Sequence, residues 1–479
     1  MYAVNPSGDT ILDFSNCGYK GGGVRLPIVP ASETVGPIAG DNLANLQAAI
    51  DRLSQRPING QGIRGALQLT KGEYEVSSSL KISAGGIVVR GDAMGGTRIL
   101  ATCRQQLPLI QIAGASGLKI KGKAISITDP YVSVGARTFT VSEGSLFNVG
   151  DPILVRRVGN ADWIHALGMD HIEPRSGGTD ETKQWTPFNL DFDRVVTAVN
   201  GNRLTIDAPI ACAIDSKWGG GEVRHVDDSG RIENVGIEDL QADSVYDPSK
   251  KLVEAGKSYY SDEAHSTYLV TFENVKNAWV KNVTSAHFFH GTVECGKNSK
   301  WITVQDSQAL DPVSEITGSR RYTFNISGQL ILMQRCVARN ARHAFVVAAG
   351  HTCGPNVFLD CISTDNHNTS EPHQRWSVGG LYDNVDAPMA IQDRQWMGTG
   401  HGWAGANFVV WNCTGSLICQ QPPTAQNYAI GFVGEKAKPA FPRSEGYWES
   451  FGQRVKPVSL YRQQLKDRLG AQAVDNIAF

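Results

Sequence analysis

The chain has 479 residues, 51 of them glycine, and 45 basic against 47 acidic side chains leave a formal net charge of −2. That balance excludes a nucleic-acid binder by default, because phosphate recognition needs a basic excess, and no apolar run approaches the ~20 residues of a membrane-spanning helix. Ten tryptophans and abundant aliphatic residues exclude disorder, and nine cysteines, an odd number without a Cys-x-x-Cys pair, cannot all pair within one chain.

In chain order, Met1-Tyr2-Ala3-Val4-Asn5 has no basic and apolar signal segment. That fits either a cytoplasmic protein or a mature secreted one with its leader removed, and a secreted or periplasmic location is the expectation. Asp41 to Gln55 is the first helix, with Asp41 as its cap and Leu43, Leu46, Ile50 and Leu53 on one apolar stripe. Short runs separated by glycine turns follow: Ala66 to Leu69, Leu80 to Ile82, and Gly86-Ile87-Val88-Val89-Arg90-Gly91. Such close spacing suits stacked short strands better than a βαβ sheet. Residues 1–127 are thus expected to be an N-terminal cap with the first coils. Residues 128–222 read as a β insertion with a long aromatic, Gly-rich loop from Trp163 to Phe192. Residues 223–435 hold the main repeat, and 436–479 a tail ending in an amphipathic helix from Ser459 to Ile477.

The repeat is the most informative signal. Strand-like runs ending on Asn282, Asp306, Arg335, Asp360 and Asn412 follow at steps of 24, 29, 25 and 52 residues. The last step is twice 26, so a degenerate turn is expected between Asp360 and Asn412. A repeat of this length in β-rich sequence implies a solenoid whose turns stack on their neighbours. Val283, Ser307, Cys336, Cys361 and Cys413 then form an inward ladder of small side chains, with the three cysteines free.

The capping helix, the Gly-Ile-Val-Val-Arg-Gly turn and the strand–polar–small repeat resemble the pectate-lyase-like superfamily. Arg320-Arg321-Tyr322, Arg342-His343 and Pro372-His373-Gln374-Arg375-Trp376 are similar to a bacterial group within it. The resemblance implies an all-β, right-handed parallel β-helix and activity on acidic polysaccharides, by lyase, hydrolase or epimerase chemistry.

Eight of eleven histidines lie between His265 and His401. His290 and His343 each fall eight residues after a repeat position and His367 seven after one, so the three are expected to stack on a common face. Arg320, Arg321, Arg342 and Arg375 interleave with them, and guanidinium groups bind carboxylates or sulfates through paired hydrogen bonds. Elimination at a uronate needs neutralisation of its carboxylate, a base for the C5 proton and an acid for the leaving oxygen. Arg321 and Arg375 are the candidate neutralisers, His343 or His373 the base and Tyr322 the acid. His290, Arg320, Arg342, His351, His367, Trp376, Tyr382 and His401 are the candidate substrate contacts. Arg342 and His343 are expected to face opposite ways, as neighbours in extended chain do.

The reading is therefore a polysaccharide lyase acting on an acidic, uronate-containing and possibly sulfated polymer. One alternative is a glycoside hydrolase with paired carboxylates drawn from Asp360, Asp365, Asp383, Asp386 and Asp393. The other is a non-catalytic glycan binder with an aromatic stripe. Trp163, Trp185, Trp376, Tyr382, Trp396 and Trp403 are the loop aromatics, with packing their expected role. No metal site is predicted; Ca²⁺ remains an option because some lyases of the superfamily use it, although no calcium loop occurs. The C-terminal helix, with Leu460, Leu465, Leu469 and Val474 on one side, is expected to cap the solenoid or to pair two copies as a homo-oligomer.

Overall fold

The computed structural model describes residues 5–92, 95–176 and 182–478, so Met1–Val4 lie outside it. Successive strands pair in parallel at matching register on three faces. On the first face Val89 pairs with Ile237, Ile237 with Val280 and Val280 with Val304, and the ladder continues through Met333, Phe358, Tyr382, Val410 and Ala429. The third face stacks Leu80–Ile82, Ile110–Ala113, Tyr268–Glu273, Gly291–Cys295, Tyr322–Ile326 and His343–Val347. Parallel crossovers of this kind are right-handed, and the protein is a right-handed parallel β-helix.

A one-residue corner separates the first face from the second. Asp239, Asn282, Asp306, Arg335, Asp360, Asn384 and Asn412 all hold φ between 51° and 55°. Residues on either side of each are in parallel register while the corner itself drops out of the pairing. Asn384 is the degenerate turn expected between Asp360 and Asn412. Asn and Asp tolerate the left-handed region because their short polar side chains bond locally, and here they bond along the stack. Asn282 Nδ2 donates to Asp239 Oδ1 at 2.8 Å, and Arg335 binds both Asp306 carboxylate oxygens at 2.6 and 3.0 Å. Immediately after each corner the next side chain turns inward: Val283, Ser307, Cys336, Cys361 and Cys413 are at most 1% exposed. All nine cysteines are free and buried.

The helix Leu43–Ser54 lies against the first coils, with Leu46, Ala49, Ile50 and Leu53 buried, and the Asp41 carboxylate accepts the Leu43 N–H at 2.9 Å. Between the second and third coils the chain leaves the solenoid to form a six-stranded antiparallel sheet. Its outer strand Lys119–Ser126 pairs with Gly221–Asp227, so the sheet takes in residues on both sides of 128–222. Its aromatic loop is an anchor. Trp185 Nε1 donates to Gly400 O at 3.1 Å, Trp403 Nε1 to Leu167 O at 3.2 Å and Trp163 Nε1 to Thr424 Oγ1 at 3.1 Å. Beneath it, buried Lys300 and Arg231 on the solenoid side both bind Asp193 of the insertion, at 3.0 and 2.6 Å.

The C-terminal helix Leu460–Leu469 runs along the side of the stack rather than across its end. Leu460, Tyr461 and Leu465 are buried against the same chain, Gln464 bonds to Phe14 N and Leu12 O, and Arg468 to Ser15 and Gly21. Asp383 on the first face receives both Ser459 Oγ–H and Tyr461 N–H. The N-terminal segment thus covers the side of this helix that carries Leu460 and Leu465, while Leu469 stays exposed. No described helix is long and apolar enough to cross a membrane.

The corner ladder is directly testable. Asn384→Val forces a β-branched residue to positive φ and removes the bond to Asp360, so it should destabilise the chain by about 1–2 kcal/mol. Asn384→Gly should cost less, and denaturant unfolding of the two variants reads the difference.

Candidate active site

Val293, Phe324 and Phe345 of the third face belong to the core. At the N-terminal edge of these strands, polar rings from successive coils collect: Tyr268 and His290, then Tyr322 and His343, which pair in register, then His373 and His401. Tyr322 is the hub. Its ring centroid lies 5.9 Å from His290, 5.2 Å from His343 and 5.2 Å from His373, and His373 is 5.0 Å from His401.

The hydrogen bonds give the cluster a direction. Tyr322 Oη is 3.0 Å from His373 Nε2, and His373 Nδ1 is 2.8 Å from Glu371 Oε1. Arg394 Nη1 lies 2.7 Å from Glu371 Oε1, from His373 O and from His373 Nδ1. A guanidinium nitrogen has two protons for these three neighbours. We assign the His373 proton to Nδ1, facing the carboxylate, which leaves Nε2 to accept the Tyr322 hydroxyl proton. Glu371–His373–Tyr322 is a carboxylate–imidazole–phenol relay. His343 Nδ1 is 2.6 Å from Thr369 O and 3.4 Å from Glu371 Oε1, and its buried Nε2 has no partner among the described residues.

Burial keeps these rings neutral. It pushes His290, His343 and His401 down to about 3, and His373 is held well below the ordinary value by burial and then by Arg394 and Arg342. Burial raises the Tyr322 hydroxyl, and the Arg342 guanidinium, 6.0 Å from its ring, opposes that rise. Half-buried His290, Arg342 and His401 form the rim, whereas Tyr322 is 7% and His373 6% exposed.

His343, His373 and Tyr322 are brought together, with His290, Arg342 and His401 around them. Arg342 and His343 border the same tyrosine, contrary to the alternation expected of them. The strand begins at His343, and Arg342 lies in the preceding bend, where alternation does not apply. Other expectations are corrected. Arg321 is buried, and its guanidinium is taken up by the carbonyls of Ser314, Asn340 and Tyr260. Arg375 donates to Gly400 O and Thr399 O, and Arg320 is bound to Glu263 at 2.6 and 3.1 Å. None of the three is placed to neutralise a substrate at Tyr322. His367 is exposed and bonded to Asn340, in the longer turn that precedes Ser370, so it leaves the stack. His351 stacks on Phe188 at 3.8 Å beside a separate cavity. Trp376 and Tyr382 are 0% exposed, one packed on Trp163 and the other in the solenoid core, and cannot contact a substrate.

Glu371 and Arg394 were not among the sequence candidates. Glu371 could have been found, since it precedes His373 by two and extended residues at that spacing share a face. Arg394 reaches the cluster from the next coil, for which no local pattern exists. The chain around His401 depends on glycine: Gly398 has φ 60°, and a Cβ there would stand 2.2 Å from the His401 ring.

His343, Glu371 and His373 also place ligand atoms within 4.8 Å of one another. Arg394 already donates into that group, which disfavours a cation at the same point. Among the five acids considered for hydrolysis, Asp360 is paired with Arg462 and Asp393 with Arg443, and Asp383, raised to about 7 by burial, lies beneath the C-terminal helix.

No protein-family model matches the chain, and no curated protein matches it in sequence. Solved structures with a similar chain path include the tailspike protein gp49 of Pseudomonas phage LKA1, at 12% identity and TM-score 0.36, covering 86% of this chain and 74% of that one. The surface adhesin PfbA of Streptococcus pneumoniae aligns at 9% identity and TM-score 0.41 over 85% of this chain and 78% of its own. Pectate lyase Pel9A aligns at 10% identity and TM-score 0.41 over 92% and 84%. Identities this low speak to fold alone. The fold assignment stands on the strand registers, and it is the parallel β-helix that the sequence resemblance implied.

The buried imidazoles make stability fall in acid. Their folded values lie below the ~6.5 of an unfolded histidine, so below that pH the unfolded chain takes up protons first. Their contribution is complete above about pH 6.5 and is lost as pH falls toward 3. For a ring as buried as His343 the slope approaches about 1.4 kcal/mol per pH unit. His343→Gln should flatten the decline of the thermal midpoint between pH 6.5 and 4.

Proposed function

We propose that the protein is a secreted or periplasmic polysaccharide lyase that cleaves a uronate-containing chain by β-elimination at Tyr322. The observation that carries the reading is the Glu371–His373–Tyr322 relay with Arg342 beside the phenol. As a uronate enters, Arg342 pairs with its carboxylate and favours the enolate-like charge that develops there. Tyr322 Oη removes the C5 proton while its own proton passes to His373 Nε2, and Glu371 stabilises the imidazolium at Nδ1. The C4–O4 bond breaks as the C4–C5 double bond forms. The proton on His373 then returns through Tyr322 to the departing oxygen. A neutral imidazole suits this exchange, because it must accept a proton and release it in one turnover.

Of the acids considered for hydrolysis, Asp360 and Asp383 are neighbours but are taken up by Arg462 and the C-terminal helix, and five of the six loop aromatics considered for a glycan binder are buried. Incubation with a panel of uronate polymers should yield products with the ultraviolet absorbance of a conjugated double bond. New reducing ends without that absorbance would establish hydrolysis instead, and binding with neither signal would leave a lectin-like protein.

Tyr322→Phe and His373→Ala should each lower kcat about 10²–10⁴-fold, the usual worth of a positioned acid–base group, with unfolding midpoints close to wild type. Arg394 and burial together hold His373 down, so Arg394→Gln should move the acid limb of kcat/KM to higher pH. A limb that stays in place would remove His373 from the proton path.

A further inference from the structure

A second site lies where the insertion meets the later coils. A cavity of about 390 Å³ opens between Tyr131, Asp215 and Trp218 of the insertion, Asp9 of the N-terminal segment, and Asn407 and Gln421 of the solenoid. That size lies within the ~300–1,000 Å³ of small-molecule sites. Arg157, also on its wall, is 2% exposed and lies flat on Trp163, its guanidinium carbon 3.5 Å from the ring. Its Nε and Nη1 have no hydrogen-bond partner among the described residues, and neither has the buried Gln421 Oε1 across the cavity.

An orphaned buried guanidinium is costly, and its neighbour on the sheet is not left so. Arg194, on the adjacent strand and equally buried, donates to the carbonyls of Ala208, Asp193, Pro209 and Gly354 and to Gln329 Oε1. Burial also pulls Arg157 below the usual arginine range. Two carboxylates share the cavity. Asp9 accepts from Asn5 Nδ2, Tyr131 Oη and Val134 N, which leaves it one lone pair, and Asp215 accepts from Lys217 N with more to spare. Those acids disfavour a bare inorganic anion but suit a ligand whose hydroxyls donate to them while its own carboxylate meets Arg157.

We propose that this cavity is a second saccharide site that takes a single sugar-acid unit, its carboxylate on Arg157 and its hydroxyls on Asp9, Asp215 and Gln421. The site shares no residue with the Tyr322 cluster and does not depend on the lyase reading. Its ligand is a free hexuronate or a uronate unit of a longer chain.

Calorimetric titration of the full chain with glucuronate, galacturonate, glucose, galactose, sulfate and short oligouronides tests it. The measurement is made in a Tyr322→Phe background so that turnover does not interfere. At least one uronate should bind ten or more times more tightly than its neutral counterpart and than sulfate. Oligouronides binding more tightly than the monomer would identify a polymer site, and equal binding a free sugar acid. Arg157→Gln should lower uronate affinity at least tenfold. Should that variant fail to fold, Tyr428→Phe, which alters only a hydroxyl on the cavity wall, should weaken binding measurably, and the neutral-sugar contrast still decides. Equal binding of acidic and neutral sugars, binding undiminished in folded Arg157→Gln, or no binding by any compound would overturn the proposal. Loss of elimination activity in the parent chain would leave it standing.

Discussion

A backbone corner held at positive φ recurs once per coil, and the rest of the molecule hangs from it. From Asp239 to Asn412 a single left-handed residue redirects the chain from the first sheet to the second. Because the corner consumes one residue and never two, the side chain that follows always points inward. Small groups such as Cys336 and Cys361 can then stack without offset. A left-handed residue costs about 1–2 kcal/mol when it is not glycine. Here the cost is offset by Asn, Asp and Arg side chains that bond to the corner of the neighbouring coil. Regular corners keep the third sheet in register, and that register stacks Tyr322 on His343.

The same regularity explains how polar rings survive burial on the outer face of a sheet. Partners come from other coils as well as from their own: His373 meets Tyr322 two coils back, Glu371 takes Arg394 from the next coil, and His343 meets a carbonyl one coil on. Stacking makes such partners available at a fixed spacing. It also sets the protonation state, since a ring enclosed by its neighbours pays for charge in lost hydration and stays neutral well into acid.

The insertion is a different kind of object. It brings its own antiparallel sheet and its own core, and it is held to the solenoid by Asp193 between Lys300 and Arg231 and by tryptophan N–H groups donating across the seam. Aromatic residues that look like sugar platforms in a linear reading are the joint itself. Around Arg157 the joint is imperfect, and a guanidinium is buried without the oxygens that Arg194 receives nearby.

Periodicity alone sufficed for the solenoid. The corner residues, the inward ladder, the free cysteines and even the hidden turn at Asn384 follow from spacing, because every coil repeats the same local geometry. Three members of the site, Tyr322, His343 and His373, were legible as well, as chemically capable residues near the repeat. Which arginines serve the site was not. Arg321, Arg342, Arg375 and Arg394 have the same chemistry, and only the tertiary structure shows the first and third bound to backbone carbonyls while the other two face the cluster. Nor could sequence reveal Glu371 as the anchor of His373, or the C-terminal helix as a strap over the chain's own N-terminal segment. Repeats encode what a residue does within its coil. Partners from other coils, from the insertion and from the chain ends are fixed by the stacking distance and by side-chain reach, and those exist only in the folded molecule.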